Sequence, residues 1–224
     1  MQAARRIKLI VIGAVAVLAL AIVLGWVWGA KKTRDLESSA RGSIAQSTSR
    51  LQEALALSPD APDAPVKLEE HARAVGQSLA ALRREEAKRN RPLAEAAELY
   101  LVDVQAMLRN QTNAARARAA ALASRRALAA HMDRAAGRGA GWIDQALALK
   151  ARAERDNFDY RTAVGAWAEL LHAHRDTQDK VRAALPAARL LGDAERDAGL
   201  TRAKLAEQQA AAELERIRQM AIPR

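Results

Sequence analysis

The sequence predicts an all-α protein with a single N-terminal transmembrane helix, then a stalk and an antiparallel bundle of long helices with coiled-coil-like packing. Three observations lead to this fold class. Residues 9–28 are an uninterrupted run of twenty uncharged, mostly apolar residues. Downstream, apolar residues recur at spacings of three and four, the period of an α-helix, and no strand-like alternation occurs. Short segments rich in proline or glycine separate these periodic stretches.

The apolar run Leu9–Trp28 has the length and the flanks of a membrane anchor. At about 1.5 Å of rise per residue it is about 30 Å long, the thickness of the hydrocarbon core of a bilayer. Basic residues flank both ends, and Trp26 and Trp28 lie where an aromatic belt forms. A cleaved signal peptide has a shorter apolar core and a small-residue cleavage site. The sequence therefore predicts a basic tail over 1–8 and a retained transmembrane helix over 9–30, with membrane lipid as its partner.

The orientation of this anchor depends on a weak charge signal. The basic flanks are nearly equal on the two sides, so the positive-inside rule gives no clear preference. The short basic N-terminal tail favours an N-terminus in the cytosol, which places most of the chain across the membrane. The alanine- and arginine-rich composition is typical of a GC-rich bacterium, and a chain without cysteine is compatible with its periplasm. We expect a single-pass inner-membrane protein whose larger part is periplasmic.

The composition limits the functions that the rest of the chain can have. Hydrophobic residues make up 50% of it, but most are alanine, and aromatic residues make up only 3%. Small side chains suit narrow seams between long helices and cannot build the large layered core of an enzyme with a deep cleft. The net charge is +10, and half of it falls in residues 1–32. The remaining mild excess is typical of a solvated helical surface and not of a nucleic-acid binder.

The segment that follows the anchor is predicted to continue it as a helical stalk over 31–57. Apolar residues such as Leu36, Ile44 and Leu51 form only a thin stripe there, so a partner would be needed to order it. Three prolines within 58–65 then predict a semi-rigid spacer, because proline removes a donor and forces extended backbone before it. This spacer is the clearest domain boundary in the chain.

The bundle is predicted over 66–222. Breaks at prolines and glycines divide it into helices at 66–90, 92–136 and 142–175, with a last long helix or pair of helices at 176–222. Residues 157–160 are predicted as a break within the third helix, and Pro186 as a kink in the last. The glycines within 137–141 predict a tight turn, because no strand precedes them as it does in phosphate-binding loops.

The helix over 92–136 carries a heptad frame in which nine of twelve positions are apolar. The frame consists of Ala97, Leu101, Val104, Leu108, Gln111, Ala115, Arg118, Leu122, Arg125, Ala129, Met132 and Ala136. Polar residues at three positions interrupt it, namely Gln111, Arg118 and Arg125. Such residues can fix register or the number of partners, or they can indicate that the frame is shifted by one position along part of the helix.

No residue pattern indicates catalysis. The histidines are His71, His131, His172 and His174, and the His-x-His pair would place its two rings about 200° apart on a helix. Two rings in that arrangement cannot coordinate the same metal ion, and the chain has no cysteine that could act as a further ligand. There is no Gly-x-Ser-x-Gly nucleophile elbow either. We therefore expect that the protein is not an enzyme and that it binds no metal, cofactor or small-molecule substrate.

Arginines concentrate in one stretch of the 92–136 helix. No acidic residue lies between Asp103 and Asp133, and the stretch holds Arg109, Arg116, Arg118, Arg125 and Arg126. Acidic residues of neighbouring helices can neutralise this charge, or the charge can bind an anionic partner. Proteins that bind single-stranded nucleic acid place aromatic residues among the basic ones, so that bases can stack on them. This stretch has no aromatic residue, so nucleic acid is not the expected partner.

One short motif resembles a known family. Arg155-Asp156-Asn157-Phe158-Asp159-Tyr160 is similar to the R-x-x-F-D-Y signature of the membrane-anchored steric chaperones that fold secreted lipases. Those proteins also have an N-terminal anchor and an Ala/Pro-rich spacer. The resemblance covers six residues and implies a folding helper that acts through Arg155, Phe158, Asp159 and Tyr160. The residues after the motif depart from the family, and only 64 residues follow it.

Two further interpretations cover the same stretch. Residues 159–167 are similar to the second helix of a tetratricopeptide repeat, although no second copy follows at the repeat period. In the simplest interpretation, Phe158, Tyr160, Val164 and Trp167 are core residues around a helix break. Trp167 belongs with the motif and the arginines among the residues that could contact a partner.

These observations together predict a membrane-anchored helical scaffold, adaptor or accessory subunit of a bacterial envelope complex, without catalysis. Its thin seams would dock other envelope proteins or mediate self-association. The alternative is a membrane-anchored periplasmic chaperone for a secreted protein.

Overall fold

The computed structural model describes residues 31, 34–58, 61–86, 91–134 and 140–222, and these form an all-α bundle without a strand. The helices are α1 over 34–56, α2 over Ala64–Glu86, α3 over Arg91–Asp133, α4 over Ala140–Ala184 and α5 over Asp193–Gln219. The predicted fold class of packed long helices is therefore confirmed for this part of the chain. The predicted anchor over 9–30 lies outside the described residues. Within them, no helix has the length and apolar character needed to cross a bilayer.

Successive helices of the bundle run antiparallel. Arg83 near the end of α2 bonds to Glu98 near the start of α3, at 2.8 Å from its Nε. The imidazole of His131, at the end of α3, lies 3.0 Å from the carbonyl oxygen of Trp142 at the start of α4. Lys150 of α4 in turn donates to the carbonyl of Arg218 near the end of α5. Each helix thus folds back on the one before it.

The segment predicted as a stalk is an internal helix of the bundle. Ala40, Ile44 and Leu51 of α1 are fully buried. Gln111 of α3 donates its amide to the carbonyl of Ala54 at 2.8 Å. The apolar stripe of α1 is covered by other helices of the bundle. The segment is therefore a packed helix of the bundle and not a separate stalk.

The proline-rich segment makes a tight connection between α1 and α2. The amide of Ala61 donates to the carbonyl of Ser58, and the amide of Ala64 donates to the carbonyl of Ala61. Asp63 then bonds to Lys67 at 2.7 Å across the first turn of α2. These bonds hold the start of α2 close to the end of α1.

Helix α4 is continuous through residues 157–160, so the predicted break there is wrong. Asn157 is buried, and its side-chain amide donates to the carbonyl of Ala153 at 2.7 Å within the same helix. This bond stays within the helix, and the backbone is helical on both sides of Asn157. Pro186 lies beyond the end of α4, in the 185–192 link, and does not kink a helix.

The core has two unequal parts. All five helices contribute to a large cluster that extends along α3 from Leu93 to Ala115. A second cluster joins only α3, α4 and α5 through the buried residues Leu128, Ala153 and Ile217. The bundle therefore contains all five helices at one end, which we call the five-helix end. Beyond the point where α1 ends and α2 begins, α3, α4 and α5 continue as a three-helix extension.

The heptad frame of α3 is correct over the part that faces α1. Ala97, Leu101, Val104 and Leu108 are fully buried. Gln111, the first polar position of the frame, is also buried and bonds to the last turns of α1. We call the whole series of positions from Ala97 to Met132 the α3 seam.

Tyr100 joins three elements inside the five-helix end. Thr48 of α1 donates its hydroxyl proton to the carbonyl of Arg189 at 2.9 Å, so the Tyr100 hydroxyl donates to Thr48 at 2.8 Å. The same phenolic oxygen accepts from the amide of Leu191 at 3.3 Å. Burial is the main cause that raises the pKa of Tyr100 above its usual value.

His174 lies against the Tyr100 ring, with the two ring centroids 5.4 Å apart. Its side chain is wholly buried, and its Nδ1 lies 2.5 Å from the Asp103 carboxylate of α3. The α4–α5 link closes over the same region, because Gln178 donates its amide to the carbonyl of Leu191 at 2.8 Å. Side chains thus tie α3, α4 and the link together beside Tyr100.

Removal of the Tyr100 hydroxyl should destabilise the fold. Tyr100→Phe leaves Thr48 and the Leu191 amide without their buried partner, which costs about 1–2 kcal/mol in the free energy of unfolding measured by urea denaturation. Thr162→Val is the matched control, because that exposed hydroxyl bonds only to the carbonyl of Phe158 in its own helix. Equal stability of Tyr100→Phe and the native protein would contradict the assigned bonds.

The raised pKa of Tyr100 predicts a pH dependence. Above about pH 10 the unfolded chain ionises this phenol, while the folded protein holds it neutral, so the free energy of unfolding falls as the pH rises. In Tyr100→Phe this part of the fall is missing. The measurement is the difference in unfolding free energy between the two proteins at pH 9 and at pH 11, which we expect to shrink at the higher pH.

The two histidines of the His-x-His pair should behave differently. His174→Ala leaves Asp103 without its partner and opens a cavity beside Tyr100, at a cost of about 3 kcal/mol in unfolding free energy. His172 is exposed on the same helix, so His172→Ala should change stability by no more than about 0.5 kcal/mol. Thermal and urea denaturation of the two variants measure this difference, and equal losses would contradict it.

Candidate functional site

The arginines of α3 lie on two faces of the helix. Arg109 and Arg116, seven residues apart, lie on the side next to α2 and are exposed. Arg116 forms an ion pair with Glu69 of α2, and Arg73 lies 3.7 Å from the same carboxylate. These residues line a shallow cavity of about 330 Å³ between the two helices. One carboxylate thus pairs with two guanidinium groups, and the guanidinium of Arg109 lines the same cavity.

Arg118 and Arg125, also seven residues apart, belong to the α3 seam beyond the end of α1. Arg125 lies 3.1 Å from Glu213 of α5 and donates from Nε to the carbonyl of Ala121. Arg118 is half-buried and has its own partner. Acidic residues of neighbouring helices therefore pair with Arg116 on one face and with Arg125 on the other.

Two cavities lie along the α3 seam beyond the end of α1. One of about 370 Å³ lies between α3 and α5, and one of about 230 Å³ lies between α3 and the α1–α2 connection. The two cavities adjoin at Leu122 and Arg126, which line both of them, and we call the pair the distal groove. Its polar lining is mainly Arg118, Arg125, Arg126 and Arg216, and its apolar lining includes Leu122 and Met220.

Sequence reasoning identified the α3 side of this groove but not the α5 side. Glu213 and Arg216 lie 84 residues or more beyond the α3 residues that they face. No local spacing relates two segments so far apart, because their juxtaposition depends on how α5 packs back along α4. The sequence shows the glycine-rich turn at 137–141 and the lengths of the helices. Neither determines the register in which α5 packs along α4.

The chaperone-like motif is split between solvent and core. Arg155, Phe158 and Asp159 are exposed, and 52% of the Phe158 surface is accessible. Tyr160 is half-buried against the large core cluster. The interpretation of Phe158 as a core residue is therefore wrong, since an unbroken α4 turns that position outward while it turns Tyr160 inward.

Trp167 packs against the large core cluster and is half-buried. Its ring nitrogen is buried and makes no hydrogen bond in the described part of the chain. The anchor residues Leu9, Trp26 and Trp28 lie outside the described residues. The structure thus brings Arg118 and Arg125 together at one groove, and it keeps Arg109, Arg116 and the motif on other surfaces.

No metal centre is found among the described residues, where no three or more histidine or acidic side chains are grouped closely enough to hold an ion. His131 stacks on Trp142 with ring centroids 5.1 Å apart, and His71 lies 3.8 Å from Glu53. Both contacts, like that of His174 with Asp103, join neighbouring helices of the bundle.

Comparisons of the chain with protein-family models, with curated proteins and with solved structures find no match. The inferences about function therefore depend on the sequence and on the geometry described above.

The exposed position of Phe158 can be tested by measuring the free energy of unfolding of variants. Phe158→Ala should change the free energy of unfolding by less than about 1 kcal/mol, because the ring is half in solvent. Leu171→Ala on the same helix removes a fully buried side chain and should cost about 2–5 kcal/mol. Urea denaturation followed by circular dichroism measures both. A loss at Phe158 as large as that at Leu171 would show that the ring is part of the core.

Proposed function

We propose that this protein is a single-pass, membrane-anchored helical scaffold or adaptor of a bacterial envelope complex, without catalysis. The apolar run over 9–28 would tether it, with most of the chain in the periplasm. The described helices would hold other envelope proteins on their surfaces. The observation that carries the proposal is the combination of a bilayer-length apolar run with a slender bundle that presents an open groove.

The position of the groove supports a role in reaching a partner. Helix α1 begins at the five-helix end, where α2 turns into α3 and α4 links to α5. The α3 seam continues from this end to Met132, and at about 1.5 Å per residue the groove lies about 40–50 Å from the start of α3. A membrane anchor that precedes α1 would therefore hold the distal groove well away from the membrane.

The composition of the surfaces supports docking more than chemistry. The distal groove is lined by arginines and small or aliphatic side chains, and one carboxylate lies among them. General acid–base work needs titratable groups within reach of a shared reacting atom, and metal catalysis needs converging ligands. The described lining of this groove offers neither arrangement.

The tether can be tested with two matched double variants of the full chain. Leu18→Lys with Ile22→Lys places two charges in the middle of the apolar run, each at a cost of about 3 kcal/mol for insertion. We expect the native protein and the control Leu18→Ala with Ile22→Ala to remain in membranes after alkaline carbonate extraction, and the lysine variant to be released. Release of the native protein would contradict the proposal.

The orientation and the scaffold role need separate measurements. A periplasm-dependent reporter fused after Arg224 should be active, and activity only of a cytosolic reporter would reverse the orientation. A photo-crosslinking residue at Ala123, in the groove, should give discrete adducts with another envelope protein in intact cells. The same residue at Ala80, exposed on α2, is the control and should give none. Turnover of a substrate that a point change abolishes would contradict the absence of catalysis.

A second candidate is a membrane-anchored chaperone for a secreted protein, and the exposed position of Arg155, Phe158 and Asp159 favours it. Asp159→Ala should leave the bundle folded and abolish the activity of a co-expressed secreted lipase. Glu169→Ala, exposed on the same helix, is the control. Full lipase activity with Asp159→Ala would remove this candidate.

A further inference from the structure

The α3 seam extends farther than the helix that covers it. Its first positions are fully buried, and Gln111 bonds to the last turns of α1. Beyond that point Leu122 and Met132 are only half-buried, and Ala129 is exposed. The apolar spacing that packs α3 against α1 thus continues for two more heptads beyond the end of α1. There α5 borders it on one side, and Met132 packs against the cluster that α3 shares with α4 and α5. The distal groove lies along this length, from Ala115 to Ala129.

The groove has the dimensions of a short helix. From Ala115 to Ala129 the α3 lining of the groove rises about 21 Å, the length of a helix of about 14 residues. Its two cavities, of about 370 and 230 Å³, adjoin at Leu122, which lies about three turns of α3 beyond the contact of Gln111 with the last turns of α1. Ile217 of α5 and Met220, just beyond the end of α5, supply the second wall. A helix laid here would contact α3 and α5 as α1 does at the other end.

The charges of the groove select the kind of helix that fits. Glu213 is shared by Arg125, at 3.1 Å, and Arg216, at 3.8 Å, so one carboxylate faces two guanidinium groups. Arg126 is exposed and forms no ion pair with any described residue. The groove therefore carries excess positive charge beside an apolar floor, which complements a helix with apolar and acidic faces.

We propose that the distal groove binds an amphipathic helix of a partner protein, with acidic residues flanking its apolar face, in the extension of the path of α1. This inference rests on the proposed scaffold function and names the class of partner. A second copy of the chain fits less well, because a two-fold contact through the groove brings Arg126 and Arg216 against the same arginines of the other copy.

The test uses the full-length protein in mild detergent and two fluorescent 14-residue helical peptides. Both peptides have leucines at spacings of three and four; one carries glutamates beside the leucines, and the other carries lysines at the same positions. We expect fluorescence anisotropy to show at least tenfold tighter binding of the glutamate peptide. Its affinity should fall as sodium chloride rises from 0.05 to 0.5 M, because salt screens the charge contribution.

Charge reversal in the groove locates the site. Arg126→Glu with Arg216→Glu should weaken binding of the glutamate peptide at least tenfold and strengthen that of the lysine peptide. Arg84→Glu with Arg202→Glu makes the same change in net charge at exposed positions outside the groove, and should alter both affinities less than twofold. Circular dichroism and Tm confirm that each variant is folded.

Several outcomes would overturn the inference. These are equal affinities for the two peptides, no binding of either, and no effect of the groove variant. Light scattering that shows a dimer, dissociated by the groove variant, would assign the groove to a second copy. Displacement of the peptide by anionic lipid vesicles but not by neutral ones would assign it to a lipid surface. The tether experiment is independent of all of these, so a failure here and a failure of the proposed function can be told apart.

Discussion

The hydroxyl of Tyr100 is the contact on which the five-helix end depends. It donates to Thr48 of α1 and accepts from Leu191 of the α4–α5 link, so one buried group sets the position of three segments that are distant in sequence. Each of these polar groups is costly to bury unless all of them are paired. Apolar contacts are non-directional, whereas this group of hydrogen bonds is satisfied in one register only.

The end of α1 divides the molecule into two kinds of packing. Over the length of α1, the α3 seam is fully buried, and Gln111 closes that part by bonding to the Ala54 carbonyl. Beyond it, arginines replace apolar residues at two seam positions that α1 does not reach, and Arg125 pairs there with Glu213 of α5. The polar positions in the heptad frame are therefore explained by location: one terminates the contact with α1, and the next two, Arg118 and Arg125, face an open groove.

Much of the helical architecture follows from local pattern, since the spacing of apolar residues and the prolines and glycines between them predict where long helices lie. The buried position of α1 does not follow, because a thin stripe indicates burial only once its neighbours are known. The continuity of α4 does not follow either, because Asn157, a residue that often ends helices, here bonds within its own helix to the Ala153 carbonyl. The arginines of the groove were recognisable in α3, but Glu213 and Arg216 reach them only through the packing of α5.

The three-helix extension has one further consequence. Among the described residues, Leu128, Ala153 and Ile217 form its buried cluster, with Met132, Leu149 and Met220 packed against it, and this cluster is much smaller than that of the five-helix end. Regions with so little buried surface open at a lower free-energy cost than the body to which they are attached. We therefore expect the three-helix extension to open more readily than the five-helix end, and an added helix would increase its buried apolar surface. Docking at this end would stiffen the molecule, so occupancy could be read as a change in hydrogen-exchange protection along α5.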